Sequence, residues 1–253
     1  MIRFFALILL FPLMLASQTE TVLLSYDVVA SLNDRTREVS GTVHIYTKLF
    51  DPAQSDFSFL IPKEWNAVSI QDVNNESIDF ERTPSDRSAQ HRIMFDRTDL
   101  ETKSDTIAFF ITFSAMFDSL PSSSMFVSQK EFILPYDRNS RWLPEVGSSA
   151  AEHLSLRFTA PATITTLTQV PADTAVNNGM RMWTIDGTRM SMQSVFSICG
   201  LSNAVRQFSV SSDSSCSVTF YSSPLRFNQQ YAATTAHQLS EALQYFNAIT
   251  GRR

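Results

Sequence analysis

Short runs in which apolar and polar residues alternate follow one another from Thr21 to about Val218. The run from Arg37 to Thr47 shows the pattern most clearly: positions 39, 41, 43 and 45 are apolar or glycine, and His44 lies among the polar positions between them. Successive side chains of a strand point to opposite faces. The run therefore predicts an antiparallel strand with one face buried.

Further strands are predicted by the same pattern over residues 22–32, 57–61, 154–158, 164–170, 181–185, 189–198 and 216–221. The nearly continuous apolar run 107–113 predicts a strand buried on both faces. The polar stretches 74–86 and 119–124 predict loops, and Asp186-Gly187 predicts a hairpin turn. Many short strands at regular spacing predict a mainly β fold, an antiparallel β-sandwich or an open β saddle.

The C-terminal part of the sequence follows a different period. From Phe227 to Ile249 apolar residues recur at helical intervals, and Gly251 suits the end of a helix. These apolar positions are Tyr231, Leu239, Leu243, Phe246 and Ile249. The pattern predicts one amphipathic helix after the strands. We therefore expect a β domain over residues 18–222 and the start of a truncated helical domain over residues 223–253.

The N-terminus has the composition of an export signal. Arg3 precedes an apolar stretch from Phe4 to Ala16, which is shorter than the roughly 20 residues that a membrane-spanning helix needs. A charged residue, an apolar segment and then small residues are the order found in secretory signals. Residues 1–17 are thus predicted to be a signal peptide that directs the chain to the periplasm or the exterior. An uncleaved membrane anchor is the alternative.

Composition limits the classes of partner. The formal net charge is −5, and no cluster of Lys and Arg is present. Nucleic acids require a concentrated basic surface, so we expect no nucleic-acid partner. Export also affects Cys199 and Cys216, because an oxidising compartment allows them to form a disulfide. The alternative is two separate buried thiols.

Catalytic motifs are absent from the sequence. None of the four histidines lies four residues from another, so there is no His-Glu-x-x-His zinc pair, and no Gly-x-Ser-x-Gly turn is present. Sequence alone leaves open a carboxylate pair that is assembled in space, as in glycoside hydrolases. We therefore expect no metal ligands and no catalytic residue in this chain.

Several segments resemble, in order, the N-terminal domain of the aminopeptidase N-like zinc metallopeptidases. The opening hairpin is similar over residues 26–32 and 37–45, and Met125–Glu131 is similar to an aromatic-x-Thr-Gln-x-Glu segment of that family. Arg141-Trp-Leu-Pro-Glu resembles the family's Arg-aromatic-x-Pro stretch. Residues 178–183 and 196–200 fit the hairpin and strand that follow, and the predicted helix would match the first helix of the catalytic domain.

The resemblance implies a saddle-shaped β domain that packs on a thermolysin-like domain and closes one side of its active-site cleft. By position, Gln129 and Glu131 would then lie near the free amine of a peptide substrate. Complete family members bind zinc through a helix whose motif this sequence lacks, and zinc is what activates the water. This chain is therefore not expected to cleave peptides by itself.

Two classes of function remain open. The first is a non-catalytic N-terminal domain or fragment of an exported aminopeptidase-like protein, whose partners would be a peptide substrate or a catalytic domain. The second is a stand-alone exported β module that binds a peptide, a glycan or a surface partner. The C-terminal helix discriminates between them: an exposed apolar stripe favours the first, and a stripe packed on the β domain favours the second.

Overall fold

The computed structural model shows a mainly β chain with a short helix near the C-terminus, and the predicted fold class is confirmed. It describes residues 21–49, 55–86, 90–100, 105–118, 125–128, 131–136, 141–147, 153–168, 172–188, 196–202, 206–213 and 216–222, together with helical positions 230, 233–235, 237–238, 241–242 and 245. The predicted signal peptide lies outside the described residues.

Seventeen strands and one short 3₁₀ helix are present in the described part of the chain. The strands are β1 (Thr21–Asn33), β2 (Glu38–Leu49), β3 (Asp56–Pro62), β4 (Trp65–Gln71), β5 (Ser77–Ile78), β6 (Glu81–Pro84), β7 (Gln90–Asp96), β8 (Thr106–Met116), β9 (Phe126–Val127), β10 (Glu131–Tyr136), β11 (His153–Pro161), β12 (Ile164–Thr168), β13 (Asp173–Asn177), β14 (Met180–Thr188), β15 (Phe196–Ser202), β16 (Arg206–Asp213) and β17 (Cys216–Ser222), and the 3₁₀ helix is Arg97–Asp99.

The described strands form four sheets. The largest has eight strands in the order β13-β14-β11-β1-β2-β8-β4-β5. A four-stranded sheet has the order β12-β15-β10-β9, a three-stranded sheet the order β3-β7-β6, and β16 pairs with β17. Strand β1 pairs with β11 in parallel, with Tyr26 opposite Leu154. The sequence pattern did not predict this parallel pair, because alternation within one strand carries no information on the direction of its neighbour.

Strand β2 confirms the alternation read from the sequence. Val39, Val43 and Ile45 are fully buried, while His44 and Tyr46 face the other side of the sheet. Apolar burial of this kind is the main stabilising contribution in a sheet that covers a core on one face. The prediction of a half-buried strand is therefore correct.

The prediction for the apolar run 107–113 is wrong. In β8 the buried residues alternate with more exposed ones, so only one face of the strand contacts the core. Phe110 lies on the other face, where its ring stacks on His44 with centroids 4.2 Å apart. Because Phe110 is apolar although it lies on the outer face, the run is nearly continuously apolar in sequence and the pattern did not reveal which face is buried.

Two turn and loop predictions also need correction. The stretch 74–86, predicted to be a loop, contains the short strands β5 and β6. Asp186-Gly187 lies inside β14, next to an irregularity in its pairing with β11, and makes no hairpin. The hairpin turn is Asn178-Gly179, with φ of 50° and 75°. Positive φ at both central residues is the requirement of a two-residue type I′ turn, which Asn-Gly satisfies.

Aromatic rings hold the three-stranded sheet against the large sheet. Phe109 of β8 contacts Phe57, Phe59 and Phe95, with ring centroids 5.5, 5.7 and 5.5 Å away. These separations fall in the range in which aromatic pairs attract beyond their buried area. All four rings are buried, so this cluster forms the core between the two sheets.

The segment Arg141–Gly147 connects three of the sheets. The hydroxyl of Tyr26 in the large sheet donates to Pro144 O, and Leu60 in the three-stranded sheet exchanges two backbone hydrogen bonds with Glu145. Trp142 N donates to Pro135 O, 3.3 Å away in β10 of the four-stranded sheet. Backbone groups that are buried need such partners. This segment therefore fixes how the sheets sit relative to one another.

We predict that Trp65→Phe is more destabilising than Trp142→Phe, although both indoles are fully buried. Trp65 Nε1 donates to Trp142 O over 3.2 Å, whereas Trp142 Nε1 has no hydrogen-bond partner among the described residues. Loss of the first bond leaves a buried carbonyl unpaired, which costs about 1–3 kcal/mol. Urea unfolding should show Trp65→Phe to be less stable by about 1–2 kcal/mol; equal midpoints would contradict the assignment.

The C-terminal helix is described at scattered positions. Thr234 Oγ1 donates to Gln230 O over 3.0 Å, and His237 Nε2 lies 3.4 Å from Glu241 Oε1. Tyr245 is 67% exposed. The predicted apolar stripe (Tyr231, Leu239, Leu243, Phe246 and Ile249) lies outside the described residues, so its packing stays a prediction. Over the described part of the chain, no helix has both the length and the apolar character needed to span a bilayer.

Candidate functional site

The turn between β9 and β10 carries one of the two predicted site residues. Ser128 N donates to Glu131 O over 2.8 Å, and the Ser128 hydroxyl also donates to Glu131 O over 2.9 Å. In return, Glu131 N donates to Ser128 Oγ over 3.0 Å. A serine side chain that bonds the backbone three residues away is a common way to close a turn. Three hydrogen bonds therefore fix the backbone on both sides of positions 129 and 130.

Glu131 is the first residue of β10 and is half-buried, opposite Leu201 of β15. Its neighbours Val127 and Phe132 pair across the hairpin and are buried, so the turn stands on a rigid base. A side chain on a backbone that is already ordered loses less conformational entropy when a ligand binds, so binding costs less free energy. Glu131 is thus held at the start of β10 by its hydrogen bonds to Ser128 and by its strand pairing. Gln129 lies outside the described residues, and its proximity to Glu131 stays a prediction.

The segment Arg141–Gly147 lies beside this hairpin, because Trp142 N bonds Pro135 O in β10. Within it, Arg141 Nη1 is 3.2 Å from Glu145 Oε1, and each side chain is only 12% exposed. Gln90 Nε2 donates to Glu145 Oε2 over 3.3 Å. A carboxylate that bonds two side chains in this way is held in one orientation. The motif that resembles the family's Arg-aromatic-x-Pro stretch therefore stabilises the fold around the candidate site.

Each described ion pair of a histidine involves a single carboxylate. Asp27 faces His44, Asp186 faces His153, and Glu241 faces His237. Among the described residues no group of three or more His, Cys, Asp and Glu side chains is arranged to hold a metal ion. Zinc sites need three or four ligands. The described residues therefore do not fit the zinc site that the resemblance implies for complete family members.

Burial lowers the pKa of His44 below its ordinary value of 6.5, and the nearby carboxylate of Asp27 raises it by a smaller amount. The folded chain therefore favours neutral His44, while the unfolded chain binds the proton more readily. Stability from this residue is present above pH 6.5 and is lost as the pH falls through the lowered folded pKa.

We expect urea unfolding midpoints to fall between about pH 7.5 and about pH 5 because His44 must become charged. In His44→Phe, which keeps an aromatic ring on Phe110, this part of the pH dependence should disappear. An unchanged pH profile in the variant would show that His44 does not contribute.

A polar cavity of about 420 Å³ lies at another place, between the β4–β5 connection and the 3₁₀ helix. Its lining residues are Asp72, Asn74, Glu76, Ser77, Asp79, Thr98, Asp99 and Leu100. Asp72 is buried, and its Oδ1 accepts from the backbone N–H of Asn74 and Glu76 over 2.9 and 2.7 Å. Its carboxylate therefore organises the loop. Sequence reasoning missed the cavity because Asp99 is distant in sequence from the other acidic residues.

Cys199 lies in β15, is half-buried and carries a free thiol in the structure. Burial raises the pKa of the Cys199 thiol, which disfavours the reactive thiolate. The side chain of Cys216 lies outside the described residues. Pairing of the two cysteines in solution therefore stays a prediction, which a thiol count on the unfolded, unreduced protein tests.

No protein-family profile and no curated protein matches this sequence. Solved structures do match the fold. An M1 zinc metallopeptidase from Deinococcus radiodurans is similar with a TM-score of 0.52 and 14% identity, over 80% of this chain and 46% of that one. A variant of a two-domain M1 zinc metallopeptidase bound to L-arginine is similar with a TM-score of 0.52 and 12% identity, over 85% of this chain and 52% of that one.

Native yeast LTA4 hydrolase is similar with a TM-score of 0.51 and 10% identity, over 82% of this chain and 32% of that one. The matched region is the N-terminal part of these proteins. The chain thus spans about a third to a half of the length of the structures that it matches. At these identities the likeness establishes the fold: a β domain built like the N-terminal part of M1 zinc metallopeptidases.

Proposed function

We propose that this chain is a non-catalytic β domain that lies against a zinc-bearing catalytic domain and forms one wall of its peptide-binding cleft. The observation that carries the proposal is the match of about four fifths of the chain to the N-terminal part of M1 zinc metallopeptidases. The absence of a His-Glu-x-x-His motif from the sequence supports a role in binding rather than in catalysis.

Within this proposal, Glu131 and Gln129 bind the free amine of a peptide. A carboxylate is a strong acceptor for an ammonium group, and an amide oxygen accepts a further hydrogen from it. The three hydrogen bonds between Ser128 and Glu131 support this role because they hold the turn before a ligand arrives. Export by the N-terminal segment belongs to the same proposal, and N-terminal sequencing of the secreted protein tests it.

Titration of the ¹⁵N-labelled chain with the peptide Tyr-Ser-Ala, and with its N-acetylated form, tests the amine site. The free amine should shift the backbone amide signals of Ser128 and Glu131, and the acetylated peptide should leave them in place. Glu131→Gln should raise the dissociation constant for Tyr-Ser-Ala about tenfold or more, because a charge-assisted hydrogen bond is lost.

Glu81→Gln is the matched control, since Glu81 is an exposed carboxylate on the separate three-stranded sheet. It should respond like the unaltered chain. Equal shifts with both peptides, or a response that Glu131→Gln leaves intact, would contradict the assignment of Glu131.

A further inference from the structure

Strand β13 forms one edge of the large sheet. Its five residues, Asp173–Asn177, are all exposed, and Val176 is 59% exposed. The hairpin it forms with β14 is held in place at its tip, where Ala162 N donates to Gly179 O over 2.8 Å. Natural edge strands are commonly protected by short length, by charged residues such as lysine, by proline or by a bulge. The five-residue strand Asp-Thr-Ala-Val-Asn has one charged residue, at its first position, with no lysine or proline, and its pairing with β14 runs without a bulge.

The register shows which backbone groups of β13 face away from β14. Asn177 pairs with Met180 across the two-residue turn, which makes this a hydrogen-bonded pair. Because such pairs alternate along an antiparallel ladder, Ala175 and Asp173 also bond to β14. The N–H and C=O groups of Thr174 and Val176 therefore point outward from the sheet edge.

We propose that this edge pairs with β13 of a second copy of the chain, antiparallel and about a two-fold axis at Ala175. In that register Thr174 of one copy lies opposite Val176 of the other, and these are the residues whose backbone groups point outward. Two hydrogen-bonded pairs form, and the two large sheets become continuous. An isologous contact of this kind closes at two copies.

The side chains of β13 complement themselves in this register. Asp173 lies opposite Asn177 of the other copy, at a non-hydrogen-bonded pair, where facing side chains are closest. The amide of asparagine can donate to the carboxylate, and the two Asp173 carboxylates stay at opposite ends of the contact. Thr174 and Val176, which favour strands, cover one face of it. The short strand makes a small contact, so the dimer is weak and forms in a concentration-dependent manner.

Sedimentation velocity on the full chain over a wide concentration range tests the proposal. We expect a reversible monomer–dimer equilibrium. Asn177→Asp places like charges opposite each other and should raise the dimer dissociation constant about tenfold. Adding Asp173→Asn to that variant restores one amide opposite each carboxylate and should return the constant to within about threefold of the original.

Val176→Pro removes an outward N–H and should abolish the dimer, while Val176→Thr keeps the backbone donor and should preserve it. Circular dichroism verifies the fold of each variant, and the charge swap remains decisive where the proline variant does not fold. A chain that stays monomeric up to about millimolar concentration overturns the proposal. A dimer whose dissociation constant is unchanged by Asn177→Asp overturns it as well.

Discussion

Replacing Gly41 with valine is expected to destabilise the chain by more than about 3 kcal/mol and to leave little of it soluble. Gly41 pairs with Ala30 across β1 and β2, where the strands approach so closely that a Cβ atom has no room. That atom would lie 2.8 Å from Ala30 Cα and closer still to Val29 O. Both neighbours are backbone atoms of a central strand, which cannot rotate away as a side chain can.

Thr42→Val is the matched control, because residue 42 is the next one on β2 and points to the opposite, partly exposed face. A change there should alter the free energy of unfolding by less than about 0.5 kcal/mol. Urea unfolding of both variants decides the matter. A soluble Gly41→Val chain with the original midpoint would show that the β1–β2 approach is not as close as described.

Removing the carboxylate of Glu145 is expected to cost about 3–5 kcal/mol, because Glu145→Ala leaves the guanidinium of Arg141 in a largely buried place without this partner. The donor from Gln90 loses its acceptor as well. The loss should appear as a lower denaturant midpoint with an unchanged slope, as expected when the native state alone is affected.

The control for this prediction replaces both charges. Arg141→Met combined with Glu145→Leu removes both charges of the ion pair, and apolar replacements of buried pairs are often close to neutral. The double variant should be within about 2 kcal/mol of the original chain. If Glu145→Ala alone is as stable as the original, the ion pair does not hold the Arg141–Gly147 segment in place.

Local pattern predicted strands such as β1, β2 and β11 because one face of the large sheet is buried, but it predicted no strand for segments such as β4, β7, β10, β13 and β16. In β2 the alternation of Val43 and His44 in sequence became the alternation of core and surface. The same rule failed at β8, where Phe110 is apolar yet lies on the outer face against His44. A one-dimensional pattern records the polarity of a side chain but not the neighbour that covers it.

The local sequence pattern could not predict which distant strands pair with each other. The parallel contact of β1 with β11 joins residues more than 100 positions apart, and no local period encodes it. The role of the Arg141–Gly147 segment has the same origin, since its partners Tyr26, Leu60 and Pro135 come from three different sheets. The candidate site was predicted by resemblance alone: Glu131 lies at a fixed turn, and nothing in its charge or period distinguished it from other acidic residues.

We propose that this β domain contributes a binding surface and that a separate domain supplies the zinc chemistry. The most direct measurement is the zinc content of the purified chain, made together with an assay of aminoacyl-reporter hydrolysis with and without a chelator. We expect no stoichiometric zinc and no chelator-sensitive hydrolysis. One tightly bound zinc ion per chain, with hydrolysis that a chelator abolishes, would contradict the claim.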